Sequence, residues 1–284
     1  MPNIAFVTDS TAYIPSELTK AYNITIVPLS LIWGDQTYRD GVDIQPDEFY
    51  ARLKTTKVMP TTSQVSMLEM QRTFQELVDK DFEVLGIFIS AKLSGTFQSA
   101  LQAREILGSA GDKVLLVDSN TTSMAMGFTI LAAARAAKQG ASTKDCVALA
   151  EKAREHVGVY FVADTLEFMH RGGRIGGATR FIGSALNLKP ILALKDGRVE
   201  AEDRVRTKSK ALDRVLELTS EQVKGKSNIH VATVHANAED EARALLHRAV
   251  TELSAVESIL APVSPVVGVH AGPGTVGLAF MADI

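Results

Sequence analysis

The chain has 284 residues, 46% of them hydrophobic, enough to bury a sizeable core and, at the usual domain size, to form two domains in preference to one. With 30 basic against 33 acidic residues the net charge is −3, which gives no electrostatic reason to expect nucleic acid as a partner. The single cysteine, Cys146, excludes an intramolecular disulfide and a zinc site built from several thiolates, and it suits a reducing cytoplasm.

In chain order, residues 4–7 are the first predicted strand: a four-residue apolar run closed by Asp9, with no basic region ahead of it and so without the look of a signal peptide. Further strands are predicted at 24–33, 84–90 and 114–117. Met67, Met70, Phe74, Leu77 and Val78 trace one face of a helix, and other helices are predicted at 96–107, 122–138 and 143–156. The apolar run 124–134 ends at Arg135, far short of a bilayer span. This alternation argues for parallel strands joined by crossover helices.

Past Val159 the texture changes. A strand at 160–163 is followed by a glycine-rich loop, then two short runs at 191–194 and 199–201 flank Asp196-Gly197, a hairpin signal. Helices at 208–222 and 239–253 alternate with strands at 229–235, 256–260, 266–270 and 276–281. The fold class is therefore α/β in two domains, 1–157 mainly a parallel sheet and 158–284 a mixed sheet with helices.

Several junctions carry hydroxyls: Thr8 to Thr11 with Asp9 among them, Thr61 to Gln64, Ser90 to Thr96, and Asp118 to Ser123. Parallel sheets bind ligands at the carboxyl ends of their strands, and helix N-termini favour anions, so Thr62 and Ser94 ahead of two predicted helices suit a carboxylate. Taken singly, each such residue reads more readily as an ordinary N-cap than as a ligand. Gly272, Gly274 and Gly277 spell G-x-G-x-x-G, but only seven residues follow and no helix opens there. A turn between two strands, with His270 ending the first, is the plainer account. The loop 170–177, with four glycines and Arg171 and Arg174, is either a solvated flexible loop or a surface that meets phosphate or an acidic partner. No Walker A, HExxH, CxxC or GxSxG is present.

Eight stretches in order, VTDSTAYIP (7–15), YRDGVDIQPDEFY (38–50), TTSQ (61–64), ISAKLSGTFQSA (89–100), VDSNTTSMAMG (117–127), MHRGGRIG (169–176), LNLKPIL (186–192) and HAGPGTVG (270–277), resemble the DegV family of bacterial fatty-acid-binding proteins. The resemblance implies two α/β domains with a long-chain fatty acid such as hexadecanoate held between them, no other cofactor, no metal and no catalysis by this chain alone. It also implies a cytoplasmic carrier that presents its lipid to a separate fatty acid kinase subunit for acyl phosphate formation and phospholipid synthesis, a role compatible with transient contact with a membrane surface. On the family pattern Thr62, Ser94 and His270 fall at the carboxylate, with Asp9, Ser63, Thr96, Ser123 and Gly272 around them. Arg171 and Arg174 fall on the side facing the kinase, in a loop too polar for an acyl tunnel. Ala91 stands where serine is common in the family. Two rival readings share these residues: a serine hydrolase using Ser94, His270 and Asp9, and a regulatory protein that senses fatty acids.

Overall fold

The computed structural model describes residues 3–182 and 188–284. The first half runs β1 (Ile4–Asp9), α1 (Ser16–Ala21), β2 (Ile24–Val27), β3 (Ser30–Trp33), β4 (Gln36–Arg39), α2 (Pro46–Leu53), β5 (Thr61–Ser63), α3 (Met67–Asp79), β6 (Glu83–Phe88), α4 (Thr96–Ile106), β7 (Val114–Asp118), α5 (Ser123–Lys138) and α6 (Thr143–Ala153). The second half runs β8 (Val157–Val162), α7 (Glu167–Arg171), β9 (Lys189–Lys195), β10 (Arg198–Val205), α8 (Lys208–Val223), β11 (His230–His235), α9 (Glu239–Leu253), β12 (Glu257–Pro262), α10 (Pro265–Ala271) and β13 (Val276–Met281). The fold is mixed α/β, as the alternating pattern predicts.

Strands β2, β1, β6 and β7 form a wholly parallel sheet in that order. Its central strands are buried on both faces, the usual condition of a sheet covered by crossover helices. A second sheet orders β10-β9-β8-β13-β11-β12, antiparallel except for the β11–β12 pair. Helix α5 joins the two. From Ser123 to Ala134 it is buried on every side, and it packs against β1 and β6 on one hand and β8, β11 and β13 on the other. A bidentate pair from Arg135 to Glu257, with His230 Nδ1 2.7 Å from the same carboxylate, ties its far end to β12 and β11.

Two expectations are corrected. The run 24–33 is not one strand: Pro28 has no N–H to continue a ladder, so β2 stays in the parallel sheet and β3 enters a separate antiparallel sheet, β4-β3-β5. The valine-rich run 266–270 is helical, not extended. Pro265 takes a first-turn position where its missing N–H costs nothing, and Gly272 at φ 78° ends the helix. Gly268 lets α10 approach α2, since a Cβ there would lie 2.5 Å from the Tyr50 hydroxyl. The β propensity of valine is overridden by this packing.

The predicted hairpin at Asp196-Gly197 is present, with φ of 48° and 78° at its two turn residues. Its tip rests on the loop after β6. Ser90 Oγ donates to the Gly197 carbonyl (2.8 Å) and Lys92 Nζ to the Asp196 carbonyl (2.6 Å). The second sheet thereby braces the loop that carries Ser94. Among the described residues no helix is long and apolar enough to cross a membrane.

Candidate functional site

At the carboxyl ends of β1, β6 and β7 the parallel sheet meets the face of the six-stranded sheet around a cavity with about 1010 Å³ of free space, its open mouth included. That position is where open α/β sheets bind ligands. Leu29, Ile89 and Leu93 line it from the first half, Val159, Phe161, Leu194, Val199 and Val234 from the second. Helix α10 and its approach add Val263, Val266 and Val267, so most of the wall is apolar.

Polar groups gather where β5, the loop before α4, α10 and the loop after α7 converge. Thr62 does not cap a helix; it sits on β5 opposite Leu31, while Ser66 caps α3. Its Oγ1 lies 2.8 Å from His270 Nε2, contributed by the last turn of α10. The other ring nitrogen faces Gly172, where a Cβ would stand 2.1 Å from Nδ1, and it has no hydrogen-bond partner among the described residues. Burial, and then the charge of Arg174, lower the His270 pKa to about 4, so the ring is neutral at pH 7. A single proton on Nδ1 would find no acceptor, so the bonding pattern assigns it to Nε2, which donates to Thr62. The Thr62 hydroxyl hydrogen is then free for a ligand.

Ser94 has the same arrangement. Its Oγ accepts the Thr96 N–H (3.3 Å) and lies 3.0 Å from Thr96 Oγ1, which itself accepts the Val65 N–H. When Thr96 Oγ1 is the donor of that pair, Ser94 has its own hydrogen to offer. Two hydroxyls beside a guanidinium make a site complementary to an anion.

Arg171 and Arg174 do not share one environment. Arg171 pairs with Glu167 at 2.5 Å and its side chain is 60% exposed. Arg174 lines the cavity, and its Nε donates to the Leu93 carbonyl (3.1 Å) and its Nη1 to that of Gly172 (2.8 Å). The expectation that this loop stays clear of the cavity is thus corrected for Arg174: a guanidinium can present its charge to the mouth while backbone carbonyls satisfy its other donors.

The remaining residues divide. Ser63 and Ser123 line the cavity. Thr96 supports Ser94. Gly272 packs against Phe168 at positive φ, and Gly172, beside Nδ1, is the glycine that bears directly on His270. Asp9 is fully buried, accepting from Thr11 N, Thr11 Oγ1 and Ile89 N; burial raises its pKa and those bonds oppose the rise. Ser94, His270 and Asp9 therefore make no relay, since each is bonded elsewhere. The sequence reading missed Gln64, packed on Gly95, and Asp40, which accepts from Ser10 Oγ (2.6 Å) and from Val266 N (3.1 Å) and so anchors α10. Gly95 was the available signal for the first, and nothing local marks the second. Among the described residues no group of three or more His, Cys, Asp or Glu could hold a metal ion.

The family model for DegV proteins, described as an uncharacterised family, matches residues 3–283. The chain belongs to the DegV family. It is 37% identical over 282 residues to a DegV domain-containing protein of Clostridium perfringens, covering 99% of each chain, and 35% identical to Protein DegV of Bacillus subtilis, covering 98% of this chain and 99% of that one. Among solved structures, a DegV family protein of Thermus thermophilus described by its fatty acid binding superposes with a TM-score of 0.93 at 35% identity, covering 99% of this chain and all of the other. Bacillus subtilis DegV, described as a fatty acid binding protein, gives 0.90 at 33% over the whole of both chains. Both of these solved structures are described by fatty acid binding. Of the eight family stretches, Leu186 and Asn187 lie outside the described residues.

Proposed function

We propose that this DegV protein binds one long-chain fatty acid, such as hexadecanoate, and carries it without transforming it. The carboxylate is held by the Thr62 and Ser94 hydroxyls beside Arg174, and the acyl chain lies in the cavity between residues 1–157 and 158–284. The observation that carries this reading is the pairing, in one cavity, of a mostly aliphatic wall with two hydroxyls, Thr62 and Ser94, each held in place by a hydrogen bond to a neighbouring side chain, His270 and Thr96. A neutral His270 fits the role, because it orients Thr62 and adds no charge of its own.

The energetics agree. Burying about 15 methylenes at roughly 0.8 kcal/mol each gives about 12 kcal/mol gross, enough to outweigh the costs of association. Apolar contact thus supplies the affinity and the hydroxyls fix the orientation. On the family's pattern the carrier acts in the cytoplasm and presents its carboxyl group to a separate kinase. The exposed Arg171 is compatible with an acidic partner surface.

Native mass spectrometry of the purified protein, followed by extraction and analysis of released lipid, tests the reading. One equivalent of a saturated or unsaturated long-chain acid is expected, replaceable by added hexadecanoate. Protein that is lipid-free and does not take up hexadecanoate contradicts it.

A further inference from the structure

Besides the Thr62–His270 pair, the same cavity is lined by the polar residues Thr11, Tyr13, Thr122 and Ser123. Ten non-glycine residues among those described have positive φ; seven are Asn or Asp, which tolerate it, and the others are Tyr13, Ser123 and Ser254. Two of those three, Tyr13 (φ 56°) and Ser123 (φ 63°), line this cavity. Left-handed backbone at residues other than glycine is costly and gathers at ligand sites.

Ser123 is the first residue of the 16-residue helix α5, whose start has no side-chain cap. It is 6% exposed, and its hydroxyl has no hydrogen-bond partner among the described residues. The hydroxyls of Thr122 and Thr11 are engaged. Thr122 Oγ1 donates to Thr11 Oγ1 (2.8 Å), which donates to Asp9 (2.6 Å). The Tyr13 and Ser264 hydroxyls are also buried and have no hydrogen-bond partner among the described residues. A buried hydroxyl beside uncapped helical N–H groups is a ready donor set for an oxygen that the ligand brings.

We propose that these residues form a subsite for a neutral oxygen on the acyl chain, a hydroxyl or ketone oxygen, received by Ser123 at the start of α5. The proposal rests on the fatty acid reading of the cavity and adds a ligand class to it: chains oxygenated along their length, bound in preference to plain ones. A second carboxylate is disfavoured, since the buried Asp9 sits just behind Thr11 and no cation lies in this bonded group.

The test is competition binding of octadecanoate and a set of monohydroxy octadecanoates with the hydroxyl at successive carbons, to the wild type, Ser123→Ala and Ser123→Gly. The glycine variant removes the hydroxyl while suiting the positive φ, so it covers the case in which the alanine variant fails to fold. One positional isomer should bind the wild type about tenfold more tightly than octadecanoate. In both variants that ratio should fall to near one. The proposal is overturned if every isomer binds the wild type no better than octadecanoate, or if the preference survives loss of the hydroxyl. It is also overturned if both ligands weaken together by the same factor, which would put the carboxylate itself at α5. Failure of the wild type to bind octadecanoate at all would instead remove the underlying fatty acid reading.

Discussion

Thr62 Oγ1 and His270 Nε2 lie 2.8 Å apart although 208 residues separate them in sequence. The bond joins the short strand β5 to the last turn of α10, and with His270 Nε2 as donor it leaves the Thr62 hydrogen to a ligand. Replacing Thr62 with Val, or Ser94 with Ala, should therefore weaken hexadecanoate binding by about 1.5–3 kcal/mol each, the worth of a hydrogen bond to a charged group. Thr62→Val should also lower stability, because it leaves the His270 N–H buried without an acceptor, whereas Thr62→Ser should restore both. Titration with a fluorescent fatty acid, alongside thermal unfolding, measures the two effects. Full affinity in both Thr62→Val and Ser94→Ala would contradict the carboxylate assignment.

His270 also gives the fold a dependence on pH. Its pKa falls from 6.5 to about 4 on folding, so its contribution is fully present above 6.5 and is lost as pH falls through 4. The whole effect is about 3 kcal/mol. His270→Gln retains a donor toward Thr62 and does not titrate. Compared with this variant, the wild type should lose stability progressively between pH 7 and pH 4.5, by chemical denaturation. Parallel curves for the two proteins would show that the ring titrates normally.

Asp40 should have the opposite sign. Burial raises its pKa from 3.8 to about 6, only partly countered by the bonds from Ser10 and Val266, with the nearby Asp9 adding to the rise. The folded state therefore favours the neutral acid, and the stability associated with it is present below 3.8 and lost as pH rises through 6. Asp40→Asn should become more stable relative to the wild type between pH 4 and pH 7.5, by up to about 3 kcal/mol. A relative stability that is flat over that range would mean Asp40 ionises at its ordinary pKa, and one that declines would mean that folding lowers its pKa.

Much of this architecture is legible in the sequence because its signals are local. The spacing of Met67, Met70 and Phe74 fixes one face of α3, and Asp196-Gly197 fixes a turn. What is not legible depends on distant chain segments. Nothing near Val266 indicates that Asp40 will receive its N–H from 226 positions away, so a run of valines reads as a strand when it is a helix. The difference between Arg171 and Arg174 is likewise unreadable. Both sit in one glycine-rich stretch, and only the position of the Leu93 carbonyl in the folded chain distinguishes them. Hydroxyl residues at strand ends point to the right edge of the sheet, but which of them keeps a free hydrogen is settled by partners such as Thr96 and His270.

That difference between the two arginines gives the last expected outcome. Arg171 is largely exposed and its contact with Glu167 is a surface pair, worth at most about 1 kcal/mol to the fold. Arg171→Ala should leave hexadecanoate affinity unchanged. Arg174 lines the cavity, is held by two carbonyls and lies close enough to His270 to depress its pKa. Arg174→Ala should weaken hexadecanoate binding and should raise the pKa of His270, which is measurable by NMR titration. A structural role alone would not produce the second change. If a partner kinase phosphorylates the bound carboxyl group, charge grows at the position Arg174 faces, and a guanidinium there stabilises the developing acyl phosphate. Acyl phosphate formation with kinase and ATP should accordingly fall much more in Arg174→Ala than its lipid affinity does, while in Arg171→Ala any loss should appear as weaker association with the kinase. Equal defects in both variants, in lipid affinity and in turnover alike, would show that the loop acts as one unit and that its two arginines have no separate roles.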